Sequence, residues 1–408
     1  MRVLIVTAVY PPEPVVSARL SCDLKAHLES RGHGVHVLCP QPSRGAGPVA
    51  DSPEPTDITR LDSYHCADSR LLNRARESWD FGRQVANWLA GHRSEFDVIY
   101  ANMWPIFGPW HLTREAARHG IPVVQHVMDI YPESLTTKLP PCIFKAGAWI
   151  LRAWDRAGAR RSAAVVLLSP RIGRQYAASR GIEGRVHVVR NWVDVKPFEE
   201  VHDRREVCKE YEVPADRFTF MYLGNLSALS GLETAIQAFQ AIASGNNQLV
   251  IVGEGSAKAS CMALARELGL QNVLFRSDPD AMRVARIQTM ADVFLLPTRR
   301  GGALSSTPSK CISYMLSGKP ILAAVDNESD LADDLRNAGC GWLCPPEEVG
   351  PFADAMGEAQ AALPERFQSM GGSGRAYALV YFSREKCLGE LAALLEMASQ
   401  RKASGGGL

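Results

Sequence analysis

The fold is decided by one stretch, Ala291-Asp-Val-Phe-Leu-Leu-Pro297 followed by a loop over 298–306 and then Thr307-Pro-Ser-Lys-Cys-Ile-Ser-Tyr-Met-Leu-Ser-Gly-Lys-Pro-Ile-Leu322. The apolar run predicts a buried strand. A capping hydroxyl, a proline at the first helical position and a Gly–x–Pro end predict a short helix after the loop. The helix therefore begins at the strand's carboxyl edge, as it does in an α/β domain.

The amino end of that helix is a candidate anion site. Its first N–H groups have no partner within the helix, and the helix dipole is positive there. Lys310 adds a full charge in the first turn. An ordinary surface helix is an equally good interpretation of this segment taken alone.

Composition predicts a soluble enzyme of two domains. The chain has 408 residues, 46% of them hydrophobic and 22% charged, which is ordinary for globular proteins. The apolar runs are too short for a membrane span, and the amino terminus opens directly into a predicted strand without a leader pattern. Ten scattered cysteines fit reduced cytosolic thiols better than a disulfide framework or a zinc site.

Charge is unevenly divided between the two halves. Residues 1–190 hold 24 Lys and Arg against 17 Asp and Glu, whereas the remainder holds 21 against 27. A basic first half indicates an anionic surface or acceptor as its partner, with statistical scatter as the alternative.

Strand-like and helical patterns alternate along the whole chain, which predicts two doubly wound parallel sheets facing a cleft. We place the first domain at 1–190, the second at 191–375, and a last helix with a disordered tail at 376–408. The predicted strands are Val3–Val9, Val35–Cys39, Val98–Ala101, Val123–His126, Ala164–Leu168, Thr219–Leu223, Leu249–Val252, Val273–Phe275, Val293–Leu296 and Ile321–Ala324.

Three loops of the second half have the composition of a nucleotide site. Two of them follow strands: the loop from Gly224 to Gly231, and Gly253-Glu-Gly255, whose glutamate could contact sugar or ribose hydroxyls. The third is the amino end of the predicted helix that carries Lys310. Ligands of open α/β sheets bind at the carboxyl ends of the strands, where all three would lie.

The first half contributes Gln125-His-Val-Met-Asp-Ile-Tyr-Pro-Glu-Ser134. Asp129 follows a buried strand, so we expect it to cap a turn or to face the cleft. His126 fits a core histidine as well as a catalytic one. Tyr10 and Arg19 belong to the loop and helix at the mouth of the same cleft, where Arg19 could bind an anionic acceptor or simply decorate the helix.

These motifs together resemble a bacterial family 4 glycosyltransferase, most closely the branch that assembles O-antigen, capsule and colanic acid. The resemblance extends through nearly the whole chain and rests on the order and spacing of the segments. They are Tyr10-Pro-Pro, Asp129-Ile-Tyr-Pro-Glu, Asn191-Trp-Val-Asp, Gly224-Asn-Leu, Val252-Gly-Glu-Gly and Pro308-Ser-Lys with Tyr314-Met and Gly318-Lys-Pro.

The resemblance implies the glycosyltransferase-B fold, with a nucleotide sugar on the second domain, the acceptor on the first, and a final helix crossing back. It implies retention of anomeric configuration without a metal or cofactor. The implied catalytic residues are Asp129, Lys310 and His126. The implied donor-binding residues are Gly224, Asn225, Leu226, Ser227, Gly253, Glu254, Gly255, Ser306, Thr307, Pro308, Ser309 and Ser313, and the acceptor-binding ones are Tyr10, Ser17, Arg19 and Glu133.

The chain departs from the wider family at several positions. Ser305 and Ser313 stand where the family has two glutamates in an E-x7-E pattern. Asn225 and Ser230 replace an arginine and a lysine, and Met128 replaces a histidine. These changes leave Lys310 as the clearest cation for a diphosphate, and they leave the ribose contact unassigned.

Two further segments have competing interpretations. Asp278-Pro-Asp280 has the form of a metal-binding D-x-D motif, but its position favours capping of a helix over 281–290. The basic, aromatic segment 138–161 could lie on anionic lipid or face the core, and a polyprenyl-diphosphate acceptor would favour the lipid.

We therefore expect a retaining enzyme that uses a UDP-sugar in cell-surface polysaccharide synthesis, peripheral on the inner face of the plasma membrane. Its partners would be a lipid-linked or saccharide acceptor and not a nucleic acid. Two alternatives stay open: a nucleotide-sugar 2-epimerase of the same fold, and a non-catalytic sugar-nucleotide-binding subunit.

Overall fold

The computed structural model describes residues 1–13, 15–42, 55–66, 71–133, 141–278, 283–304 and 309–403. The chain divides into two compact units. The first comprises Met1–Arg190 together with Cys387–Leu408, and the second comprises Asn191–Lys386.

The first unit contains a parallel sheet with helices in the connections between its strands. Its strands are β1 Arg2–Thr7, β2 Gly34–Pro40, β3 Ile58–Leu61, β4 Val98–Asn102, β5 Val123–His126, β6 Ala164–Leu167 and β7 Val186–Val188. Its helices before the second unit are α1 Val16–Ser30, α2 Leu71–Gly91, α3 Phe107–Arg118, α4 Pro141–Arg161 and α5 Pro170–Arg180.

The strand order within the described residues is β3-β2-β1-β4-β5-β6-β7. The chain moves outward from β1 to β3 and then returns to the other side of β1 at β4, so the order reverses between β1 and β4. In open parallel sheets, the crevice at such a reversal is where ligands bind. The loops after β1 and β4 flank this crevice, and the loop after β5 follows the next strand of the sheet.

The second unit repeats the architecture. Its strands are β8 Phe218–Leu223, β9 Asn247–Val252, β10 Val273–Arg276, β11 Val293–Pro297, β12 Ile321–Ala324 and β13 Gly341–Cys344. Its helices are α6 Arg204–Glu210, α7 Leu232–Ile242, α8 Lys258–Glu267, α9 Val284–Gln288, α10 Ser309–Leu316, α11 Asp330–Ala338, α12 Val349–Ala361 and α13 Pro364–Tyr381. The order of the described strands is β10-β9-β8-β11-β12-β13, which reverses between β8 and β11.

Both faces of the second sheet are buried, which explains the unbroken apolar runs in its strands. Successive residues of a strand point to opposite faces. Phe220 and Tyr222 accordingly pack in one hydrophobic core, while Met221 between them packs in the other. In a strand covered on both faces every side chain is buried, so polar and apolar residues do not alternate along it.

The last helix, α14 Arg384–Ala403, enters the first unit. Its Glu396 accepts a hydrogen bond from Arg31 at 2.9 Å and lies 3.1 Å from His33 Nε2. Lys402 Nζ donates to the carbonyl of Phe96 at 3.1 Å. The tail that we expected to be disordered, Ser404–Leu408, lies outside the described residues.

The segment between β7 and β8 contains α6, which Asp203 caps, because its carboxylate accepts hydrogen bonds from the Arg205 and Glu206 amides. Of the Asp278-Pro-Asp280 motif and the helix expected over 281–290, residues 279–282 lie outside the described residues. The described part of that helix is α9, which begins at Val284 with Arg283 at its N-cap and ends at Gln288, before the expected end. Asp278 therefore does not cap it, and its carboxylate instead accepts from the Tyr211 hydroxyl and pairs with Arg283 at 3.1 Å.

No helix within the described parts of the chain is long and apolar enough to cross a membrane. The cysteines that the structure describes are all free thiols.

Candidate active site

The reversal point of the second sheet is built around Tyr314 of α10. Its hydroxyl accepts from the Leu223 amide at 2.8 Å and donates to the Leu223 carbonyl at 2.9 Å. The ring stacks on Phe294 of β11 with centroids 4.1 Å apart. Tyr314 thereby fixes α10 against the last residue of β8, although sequence reasoning gave this tyrosine no role.

Lys310, one turn earlier on the same helix, reaches the loop after β8. Its ammonium donates to the Tyr222 hydroxyl and lies 4.3 Å from the centroid of that ring. The Tyr222 hydroxyl in turn donates to the Asn225 carbonyl at 2.8 Å. A Cβ added to Gly224 would lie 3.4 Å from Lys310 Nζ, so the lysine also covers the first glycine of the loop.

Burial lowers the pKa of Lys310 to about 8. Among the residues that the structure describes, no carboxylate pairs with this ammonium, and its polar partner is the neutral Tyr222. A half-buried cation without a counterion is costly unless a ligand supplies the negative charge. The arrangement is suited to binding an anion at the carboxyl end of β8.

The two glycine loops predicted to bind a donor pack directly on each other. The Leu226 amide donates to the Glu254 carbonyl at 2.8 Å. A Cβ on Gly253 would lie 2.1 Å from the Gly224 carbonyl oxygen, and one on Gly255 would lie 2.3 Å from that of Leu226. Gly253 and Gly255 are therefore required by contact between the loops, a reason that sequence analysis did not give.

The remaining predicted donor residues have different surroundings. The Glu254 carboxylate pairs with Lys258 at 2.7 Å and accepts from Ser277, while Asn225 is exposed and Ser227 is half-buried. Ser313, at the position of the second family glutamate, donates to the Lys310 carbonyl at 2.9 Å and accepts from Gln288 at 3.0 Å. Ser309 begins α10, and Ser305, Ser306, Thr307 and Pro308 lie outside the described residues.

A cavity of about 150 Å³ lies at the reversal point of the first sheet, at the carboxyl ends of β1, β4 and β5. It brings together three predicted residues, Ser17, His126 and Asp129. Asp129 is exposed at its edge, and Met128, at the family's histidine position, also lines it. We expected Asp129 to cap a turn or to face the cleft, and the structure places it among the residues that line this cavity.

His126 is a core histidine with one side toward the cavity. It is 2% exposed, and burial lowers its pKa to about 4, so the imidazole is neutral at physiological pH. Its Nδ1 lies 2.7 Å from the Tyr100 hydroxyl. Its Nε2 and the Asn102 Nδ2 are buried and have no hydrogen-bond partner within the described chain. A neutral imidazole can form hydrogen bonds with a ligand, but it supplies no positive charge to it.

The other predicted acceptor residues lie elsewhere. Tyr10 is 5% exposed, and burial raises the pKa of its hydroxyl. Arg19 is exposed on α1. Burial alone would raise the pKa of Glu133, but hydrogen bonds from Arg180 at 2.6 and 2.9 Å outweigh burial and lower it. None of these three lines the cavity.

Arg180 was missed by sequence reasoning, although it supports the loop that carries Asp129. The guanidinium is fully buried and donates to Asp155 at 2.8 Å and to the Tyr131 carbonyl at 2.6 Å, as well as to Glu133. It links the loop after β5 to α4 and α5. The described residues contain no cluster of side chains suited to a metal ion.

Comparison with known proteins places the chain in a family. Residues 18–192 match the model of the glycosyl transferase 4-like domain, and residues 217–361 match that of the glycosyl transferases group 1. Together the two models cover most of the chain, which therefore belongs to the family that they describe and is a glycosyltransferase. The predicted resemblance to family 4 glycosyltransferases is confirmed.

Individual relatives are distant. The chain is 22% identical to the putative colanic acid biosynthesis glycosyl transferase WcaI of Escherichia coli (strain K12) over 88% of this chain and 92% of that one. It is 24% identical to the MMP alpha-(1->4)-mannosyltransferase of Mycolicibacterium hassiacum over 93% and 94% of the two chains.

Solved structures confirm the predicted fold class, the glycosyltransferase-B fold of two doubly wound domains. The sucrose-phosphate synthase of Thermosynechococcus elongatus superimposes with a TM-score of 0.72 at 17% identity, covering 97% of this chain and 98% of that one. Anabaena Alr3699/HepE in complex with UDP-glucose gives 0.65 at 17% identity, covering 97% and 100%.

Proposed function

We propose that the protein is a retaining, metal-independent glycosyltransferase that moves a sugar from a UDP-sugar to a lipid-linked or saccharide acceptor in cell-surface polysaccharide synthesis. The observation that carries the proposal is Lys310, a half-buried ammonium at the sheet reversal of the second unit, bonded to the neutral Tyr222. UDP is supported by the solved complexes of Anabaena Alr3699/HepE with UDP and with UDP-glucose.

Lys310 would act on the leaving group. Breaking the bond between the anomeric carbon and the diphosphate oxygen leaves an additional negative charge on the nucleoside diphosphate. A preorganised ammonium at that oxygen stabilises the charge without having to reorganise. The diphosphate also restores the lysine's full protonation, because a neighbouring anion raises a lysine pKa.

Asp129 would orient the acceptor hydroxyl or accept its proton. It stands at the edge of the first unit's cavity beside the neutral His126. The acceptor hydroxyl forms the new bond to the anomeric carbon and gives up its proton, and a carboxylate within hydrogen-bond reach is the usual recipient. A cell-surface pathway is supported by the colanic acid relative.

The test is transfer by the purified protein from UDP-glucose and other nucleotide sugars to saccharide and polyprenyl-diphosphate acceptors. We expect Lys310→Ala to lower turnover by at least about a hundredfold with the fold intact. Near-native turnover of a folded variant would overturn the assignment. Epimerisation of UDP-N-acetylglucosamine without acceptor would indicate the 2-epimerase, and donor binding without transfer or hydrolysis would indicate a binding subunit.

A further inference from the structure

The outer face of α4 carries a row of arginines at helical spacing. Arg152, Arg156 and Arg160 recur every fourth residue, so they lie on one face of the helix. They line a groove of about 520 Å³ together with Arg161 and Trp149. Four guanidinium groups and an indole thus share one surface, which we call the α4 groove.

This positive charge is poorly compensated. The only carboxylate in the sequence of α4 is Asp155, which is 6% exposed and paired with Arg180. A Cβ on Gly181 would lie 2.9 Å from Arg160 Nη2 and 3.2 Å from Arg156 Nη2, so both guanidinium groups converge on the carboxyl end of α5. The carbonyls of that helix end offset part of the charge. Of this row, Arg152 alone has a carboxylate partner among the described residues, Glu133 at 3.1 Å.

One end of the α4 groove is lined by Trp149, whose side chain is 74% exposed. Ile150, the next residue of α4, lies beside the groove and is 53% exposed. The other side of the helix is packed, since Trp154 lies 4.6 Å from Trp110 between ring centroids. Arginines beside an exposed tryptophan are the composition of a helix that lies in the headgroup region of a membrane.

We infer that the α4 groove docks the protein on a bilayer of anionic phospholipid, with Arg156 and Arg160 on headgroup phosphates and Trp149 inserted at the interface. A soluble anion would pair with the arginines but would gain nothing from Trp149 and Ile150, and this apolar pair therefore favours the bilayer. The inference extends the proposed function, because a lipid-linked acceptor would lie at a membrane, and it rests on that proposal. The measurement needs neither donor nor acceptor, so either proposal can fail alone.

The experiment is flotation of the full-length protein with vesicles of phosphatidylcholine containing roughly a third phosphatidylglycerol, against pure phosphatidylcholine. We expect strong preference for the anionic vesicles at about 0.1 M salt and its loss at about 1 M. Arg156→Gln with Arg160→Gln should weaken partitioning about twenty-five-fold, at roughly fivefold for each arginine. Trp149→Ser with Ile150→Ser should weaken it at least about tenfold.

Matched controls come from the second unit. Arg266 is exposed on α8, and Leu363 is 69% exposed, so Arg266→Gln and Leu363→Ser remove one charge and one apolar side chain there without altering the α4 groove. Both should partition as the wild type does. Equal binding to neutral vesicles, or wild-type partitioning of the arginine variant, overturns the inference. The inference is also overturned, in favour of a soluble anion, if the arginine substitutions weaken partitioning, the Trp149 and Ile150 substitutions do not, and inorganic pyrophosphate competes with the vesicles.

Discussion

The ammonium of Lys310 lies 4.3 Å from the centroid of the Tyr222 ring and donates a hydrogen bond to the hydroxyl of the same side chain. The cation is thus held by a ring face and a neutral oxygen. Both partners position it without neutralising it. The pair leaves a full charge available for a ligand.

Donor use should depend on the protonation of Lys310. Its lowered pKa of about 8 means that the free enzyme loses this charge as pH rises through that value, within the range of an ordinary assay. We expect kcat/KM for the donor to fall about tenfold per pH unit above pH 8. Lys310→Arg should lack this alkaline limb whatever its absolute activity, because arginine stays charged. The same limb in both enzymes would contradict the assignment.

Replacing Lys310 by methionine should stabilise the protein without ligand. The folded-state pKa is below that of the unfolded chain, so at pH 7 the folded protein bears the cost of a buried charge. We expect a gain of about 2 kcal/mol in the free energy of unfolding, measured by urea denaturation. The wild type recovers this cost as pH rises from about 8 toward about 10.4, so the difference between the two proteins should shrink there. A loss of stability at pH 7 would contradict the prediction.

Tyr222→Phe should impair donor use without unfolding the domain. The change removes the hydroxyl that accepts from Lys310 and donates to Asn225, but it keeps the ring under the ammonium. We expect kcat/KM for the donor to fall about tenfold, the equivalent of one hydrogen bond to a charged group. Tyr377→Phe is the control, because its hydroxyl bonds Asp334 in the same unit. Equal effects of the two changes would argue against a role for Tyr222 in the site.

Arg180→Met should strongly destabilise the first unit. The variant leaves Asp155 and Glu133 without the guanidinium that joins them, and Asp155 is buried. Removing one partner of a buried ion pair costs about 3–5 kcal/mol. Urea denaturation measures the loss, and Arg185→Met on the same unit, whose guanidinium bonds the backbone carbonyls of Arg160 and Ser162, should cost far less. Comparable losses would show that the buried ion pairs contribute little.

Gly253→Ala should disrupt the contact between the glycine loops. The added methyl would meet the Gly224 carbonyl oxygen at 2.1 Å, and the backbone φ is +143°. We expect a loss of more than about 3 kcal/mol, since strain and overpacking add. Gly269→Ala separates the two causes, because its φ is +67° and nothing lies within 4 Å of the new Cβ. If both variants lose the same stability, the close packing of the loops is not the cause.

The sequence predicted the central strands well and the sheet edges poorly. Of the strands that the structure describes, β3, β7 and β13 were missed, and each lies at the end of its sheet. Edge strands have one neighbour and more solvent, so their sequences lack the apolar run that marks a strand buried on both faces. β3 reads Ile58-Thr-Arg-Leu61, for example, and all four of its residues are half-buried.

Within the candidate site, Lys310 and Asp129 could be predicted because each follows a recognisable strand. Tyr314 and Arg180 could not. Tyr314 acts on Leu223, 91 residues away, and Arg180 acts on Glu133, 47 residues away. Partners this distant in sequence come together only in the folded chain. A tyrosine and an arginine are also ordinary residues of an amphipathic helix, so nothing in the sequence marks Tyr314 or Arg180.

The return of α14 to the first unit has a consequence for biosynthesis. The first unit ends its main segment at Arg190, yet it includes residues from Cys387 onward, which are translated only after the whole second unit. Domains fold as they leave the ribosome, the amino-terminal one first. Here the amino-terminal unit must wait, with Arg31 and the Phe96 carbonyl unpaired by Glu396 and Lys402, until α14 has been translated. A chain truncated before α14 would contain every element of the second unit, whereas its first unit would lack a helix.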